Sequence, residues 1–203
     1  MTDHKALLHR YLRDARDSIV WKLEGLPEYE IRRPMTPTGT NLLGLIKHLA
    51  GVEVGYFGDV FGRPFPEPVP WISDDAELNS DMWATPEQSR EELLDLYERA
   101  RAHADETIET LDLDATGTVP WWPEERRHPD LHWLLVHMTA ETNRHAGHAD
   151  IVREMLDGAA GLRRTRDNLA SNDPGWWKEQ HARIEAAARQ AGGRAMTSGG
   201  RTL

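Results

Sequence analysis

The sequence contains no cysteine. Disulfides, thiolate metal ligands and a catalytic thiol of the protein's own are therefore excluded, and any metal must be held by His, Asp or Glu. Any thiol chemistry has to use a thiol that arrives from outside. Lysine is scarce too: the 24 basic residues are 20 Arg and 4 Lys. Set against 34 acidic residues they leave a formal net charge of −10. That balance argues against a nucleic-acid backbone or an anionic membrane surface as partner, because both need a basic face. No apolar run approaches the roughly 20 residues needed to cross a bilayer. The opening stretch MTDHKALLHRYLRDARD is charged from the start and does not read as a secretory signal. A cytoplasmic location is expected. No strand pattern and no internal repeat stands out.

What is present is helical periodicity. The length suits one domain with a full core, expected over residues 1–191 with a loose tail over 192–203. Leu8, Leu12, Ala15, Ile19 and Leu23 recur at helical spacing and predict a first helix over 3–24, closed by Gly25 and Pro27. A second is predicted over 41–58, capped by Thr40, with Leu42, Leu45, Leu49, Val52 and Tyr56 on its apolar face. Residues 61–84 carry Pro64, Pro66, Pro68 and Pro70, a density that excludes a helix. A third helix is predicted from a capping box at Thr85–Gln88 to Leu111, and a fourth from Asp130 to Asp157, where Gly158 ends it. A shorter helix over 174–190 opens at Pro174, with Trp176 and Trp177 to pin it. Four long helices suggest an all-α four-helix bundle, and the long second link suggests a crossover that leaves helices two and three parallel.

The chemistry lies on the fourth helix. Leu134, Met138, Glu141, His145, His148 and Val152 fall on one face, so metal-binding residue types occupy the middle of a stripe that begins and ends apolar. An unpaired carboxylate or imidazole there would cost several kcal/mol, and a shared ion removes the cost. Glu141 and His145 are one turn apart and can reach the same ion. His48, the single histidine of the second helix, is the natural third ligand. Two His and one carboxylate leave positions open for water or substrate, which is the catalytic pattern. Zinc suits the set, as do Ni, Fe and Mn. A helical His/Glu pair can equally be a satisfied core or surface pair. His137 lies two turns from His145 and cannot serve the same ion. His4, His9, His103 and His181 read as lying on charged, solvated faces, and Arg153 with Asp150 as an exposed ion pair. Gly44, Gly51, Gly55 and Gly58 cluster beside His48, either to open space for a bulky substrate or to allow close packing.

The stretches TGTNLLGLIKHLAGVE (Thr38 to Glu53) and HMTAETNRHAGHADIVREMLDG (His137 to Gly158) resemble the DinB/YfiT-like family of metalloenzymes. The commoner family pattern has three His. Glu141 here takes the place of one of them, which resembles the branch typified by mycothiol-dependent maleylpyruvate isomerase. The resemblance spans residues 5–158. It implies an up-down-down-up bundle, a divalent metal on His48, Glu141 and His145, and mycothiol or a similar small thiol as cosubstrate, used in S-transfer to, or isomerisation of, an electrophile. Around that site His148 is a candidate proton carrier and Arg144 a candidate partner for a carboxylate of the thiol or substrate. Asn41 is a candidate ligand contact or a helix cap. Tyr56, Trp71, Trp121 and Trp122 are candidates for the pocket mouth. A thiol-independent hydrolase, a non-catalytic metal-stabilised bundle and an Fe(II) oxidative enzyme are the alternatives, and the protein is expected as a monomer or homodimer.

Overall fold

The structure, a computed structural model, describes residues 3–165 and 167–198, with side chains described to residue 193. It divides into two compact units, Met1–Asp167 and Asn168–Leu203. The regular elements of the described residues are all helices, with no strand, and an isolated bridge joins Thr116 to Asp130. None of these helices is long and apolar enough to cross a membrane.

Helix α1 (His4–Val20) starts where the Asp3 carboxylate accepts from the Ala6 N–H at 3.0 Å. It buries Leu12, Ala15 and Ile19 and tightens into a 3-10 turn over Trp21–Leu23. A short helix α2 (Glu28–Arg32) follows Pro27. Helix α3 (Leu42–Phe57) is capped by Asn41 rather than Thr40: Asn41 Oδ1 accepts from the Gly44 N–H at 2.7 Å. The long link that follows contains no α-helix, only 3-10 turns at Asp59–Phe61, Pro70–Ile72 and Ser80–Met82.

Helix α4 (Arg90–Thr110) begins later than expected. TPEQSREE holds two consecutive capping boxes, and the second, Ser89 with Glu92, starts the helix. Gln88 Oε1 does accept from the Thr85 N–H at 3.0 Å, but it also takes a hydrogen bond from Lys47 and belongs to the long link before the helix. Helix α5 (Leu131–Asp157) runs from the Asp130 cap to Gly158 in the left-handed region at φ +78°. In the second unit, α6 (Pro174–Ser198) continues past the expected end near 190, because the alanine-rich stretch holds helix through Gly192 and Gly193. Trp177 Nε1 donates to the Ser171 carbonyl at 2.8 Å, and Trp176 meets Trp177 edge-on.

In the first unit α3 packs along α4, α1 along α5, and α3 also meets α5. Helix α3 is the central element: every residue from Leu42 to Phe57 is buried except His48 and Val52. Two charges are buried with it. Arg16 and Glu53 are both fully enclosed and paired through two bonds of 2.6 Å, and Arg16 Nη1 reaches Asp105 at 2.5 Å. His9 is not on a solvated face, because it is 4% exposed with Nε2 2.7 Å from Asp105. His103 is half-buried and donates to the Arg63 carbonyl, whereas His4 and His181 are exposed. Arg153 is likewise buried rather than surface-paired. It bonds Asp157 and the carbonyls of Lys22 and Glu24, while Asp150 pairs with Lys22.

Candidate metal centre

His48 projects from the only strip of α3 that is not buried, and it faces α5. There it meets Glu141 and His145, which one helical turn places side by side. One ligand atom from each of the three falls within 4.8 Å of the others. Glu141 Oε1 lies 2.9 Å from His145 Nε2 and 3.4 Å from His48 Nε2. The two imidazole rings meet edge-on at 4.8 Å. His145 is buried, and His48 and Glu141 are half-buried, so the cluster closes on the protein side and opens on the other.

The electrostatics are those of a carboxylate flanked by two imidazoles. Hydrogen bonds from His145 and then His48 hold the Glu141 carboxyl well below the usual carboxylate range. Burial by itself would lower the pKa of His48, but hydrogen bonds to Glu141 and Asp81 outweigh it and the net shift is upward. Two imidazole nitrogens and a carboxylate oxygen converge, and their lone pairs repel unless protons or a cation lie between them. His145 Nδ1 is buried without a partner, so this ring gets no hydrogen-bonding compensation for burial on its other side. The donor set and its convergence fit a divalent ion of the zinc type.

The remaining candidates are distributed around this cluster. His148 is half-buried, its ring 5.4 Å from that of His145. Burial first, then the positive charges of His145 and Arg144, lower its pKa, so the ring is neutral at pH 7. Arg144 is exposed on the next position of α5. Asn41 is 4% exposed and fully engaged as a cap and clasp, its amide donating to the carbonyls of Gly39 and Met82. Tyr56 is buried, and its hydroxyl accepts from the indoles of Trp121 and Trp122 at 3.3 and 3.1 Å. Its ring meets His137, whose pKa burial lowers against a smaller opposing pull from Glu141.

A cavity of about 230 Å³ opens along α3 one turn beyond His48, lined by Gly51, Val52, Gly55, Tyr56, Asp59, Ile72 and Trp121. Trp71 packs behind it against Gly51, with its indole N–H buried and unpaired. Both readings of the glycines therefore hold at different positions. Gly44 and Gly58 allow close backbone packing, Gly55 leaves open space, and Gly51 does both.

One residue of the centre has no counterpart among the sequence candidates. Asp81 Oδ2 lies 2.7 Å from His48 Nδ1. It comes from the long link between α3 and α4, 33 residues away in the chain, where no periodicity assigns a face to any side chain.

A search of curated proteins gives no match. Among protein families, the model of the mycothiol-S-transferase family matches residues 7–158, which include all three converging ligands and Asp81. The chain belongs to the mycothiol-S-transferase family.

Proposed function

We propose that the protein is a zinc-dependent S-transferase that joins mycothiol, or a closely similar small thiol, to a small electrophile. The observation that carries this reading is the convergence of His48, Glu141 and His145 on one point, half-open to solvent, in a chain with no sulfur nucleophile of its own. We read the four long helices as an up-down-down-up bundle whose crossover lies between α3 and α4, and we place the activity in the cytoplasm.

Zinc held there would lower the pKa of a coordinating thiol, so that sulfur is presented as a thiolate at neutral pH. The protein's residues supply the rest. Glu141 and the two imidazoles would hold the ion. His148, neutral at pH 7, takes up the thiol proton. Arg144 pairs with a carboxylate of the incoming thiol or substrate. The cavity walled by Tyr56, Trp121 and the glycines of α3 receives the electrophile. A new S–C bond forms as the bond from carbon to its leaving group breaks, and the electron pair departs with that group.

Metal analysis of the purified chain should find one zinc, and titration with mycothiol should perturb a Co²⁺-substituted spectrum. His48→Ala and Glu141→Gln should lose both. Failure of any thiol to reach the loaded site would overturn the reading, and ester hydrolysis without thiol would favour a hydrolase.

A further inference from the structure

The end of the crossover is clasped to α3 at three successive positions of one helix side. Asn41 Nδ2 donates to the Met82 carbonyl at 3.0 Å. Gly44 leaves room for that same carbonyl, since a Cβ at this residue would stand 1.9 Å from Met82 O. Lys47, 3% exposed, donates to the carbonyls of Ser80 and Trp83 at 2.6 and 2.9 Å and to Gln88 Oε1 at 3.0 Å. The clasped segment is the Ser80–Met82 turn, entered through Asn79 at φ +66°, a conformation asparagine adopts more readily than most residues. Asp81 stands in the middle of it, with its carboxylate on the far nitrogen of His48.

That is a large investment in one turn of loop. A buried lysine is kept, a side chain is given up at Gly44, and a left-handed residue is tolerated. An apolar contact would have held the loop with less. The outcome of these features is that a carboxylate meets His48 Nδ1 while His48 Nε2 faces Glu141.

We propose that the clasp serves to set Asp81 on His48, and that Asp81 is a positioning residue. It holds the proton of the neutral ring on Nδ1 and leaves the Nε2 lone pair aimed at the point shared with Glu141 and His145. The inference rests on the metal reading given above. Without the carboxylate the ring divides between tautomers, and the form protonated on Nε2 must rearrange before it can ligate. With it the ring is fixed in orientation and made a stronger donor. The clasp keeps the loop from paying the entropy of ordering when metal enters.

The test uses the full chain, Zn²⁺ in competition with a chromophoric chelator, and long-range ¹H–¹⁵N spectra of the histidine rings in metal-free protein at alkaline pH. Wild type should show His48 protonated on Nδ1. Asp81→Ala should mix the tautomers and weaken zinc binding about 10- to 100-fold, with the metal-free melting temperature little changed. Asp81→Asn, which keeps the shape and an acceptor, should fall between the two. Lys47→Met, which leaves the Asp81 and His48 side chains in place, should weaken zinc in the same direction by loosening the turn. The inference is overturned if Asp81→Ala and Asp81→Asn both bind zinc like wild type, or if wild-type His48 carries its proton on Nε2. A wild-type chain that binds no zinc would instead sink the metal reading, and the ring spectra would still decide the role of Asp81.

Discussion

At the scale of single residues, the first unit encloses one complete ion pair. Arg16 and Glu53 lie fully enclosed between α1 and α3. Removing one partner strands a charge, and a buried uncompensated charge costs about 3–5 kcal/mol. Arg16→Met or Glu53→Leu alone should therefore unfold much of the protein in urea at midpoints well below wild type. The double substitution should recover a large part of the loss, because it removes both charges together. Denaturation midpoints of the four chains, read as a double-mutant cycle, check this.

Asp105 extends the same network toward solvent. Burial would raise its pKa, but the hydrogen bond from His9 and the charge of Arg16 outweigh that and hold it at about 2. The folded value lies below the ordinary 3.8, so the folded state releases this proton more readily than the unfolded one. The stabilisation is thus fully present above about pH 4 and is lost as pH falls through about 2. It is worth about 2 kcal/mol at most, since the side chain is 28% exposed and partly screened. Asp105→Asn should flatten the acid limb of the stability–pH curve by that amount, measured by urea melts between pH 2 and 5.

At the scale of elements, α3 decides the most. It is buried on nearly every side, so its glycines report the spacing of its neighbours. Gly44 and Gly55 lie in the same helix and should respond with opposite sign. A Cβ at Gly44 would collide with the Met82 backbone at 1.9 Å, and overpacking of this kind costs about 1–3 kcal/mol. A Cβ at Gly55 would meet only the tip of Trp121, at 3.7 Å. Gly55→Ala should stabilise by about 0.5–1 kcal/mol through helix propensity, and Gly44→Ala should destabilise. Thermal melts of the two variants decide this. Gly55→Leu goes further and projects into the 230 Å³ cavity. It should raise KM for the electrophile while zinc stoichiometry stays at wild type, which separates the cavity from the metal centre.

At the scale of the whole molecule, the family match ends at residue 158 but the first compact unit runs to Asp167. The difference has a physical basis. Buried Lys22 donates to the Gly161 carbonyl at 2.5 Å, and Trp21 Nε1 donates to the Leu162 carbonyl at 3.0 Å. The carbonyls of Gly161 and Leu162 therefore complete the partners of groups on the turn after α1. A chain ending at Asp167 should bind added zinc as the full chain does and melt within about 4 °C of it. A chain ending at Gly158 should melt lower, because it leaves the Lys22 ammonium short of an acceptor. Calorimetry of both truncations makes the comparison.

The parts legible from sequence were those governed by local spacing. The i, i+4 relation of Glu141 and His145 is a property of any helix, and Gly25, Pro27, Asp130 and Gly158 mark ends through backbone rules that act within a few residues. The absence of cysteine fixed by itself which side chains could hold a metal. Local rules failed where two signals competed, as in the paired capping boxes before α4, and where exposure depended on a neighbour, as at His9 and Arg153. Asp81, the Arg16–Glu53 pair and the shape of the cavity were decided by tertiary structure alone. Each joins groups more than thirty residues apart, and such a junction depends on how α1, α3, α5 and the crossover close against one another, which no spacing along the chain encodes. The helices and their chemical equipment belong to the sequence; the meeting of His48 with Asp81 on one side and with Glu141 on the other exists only once the helices have packed.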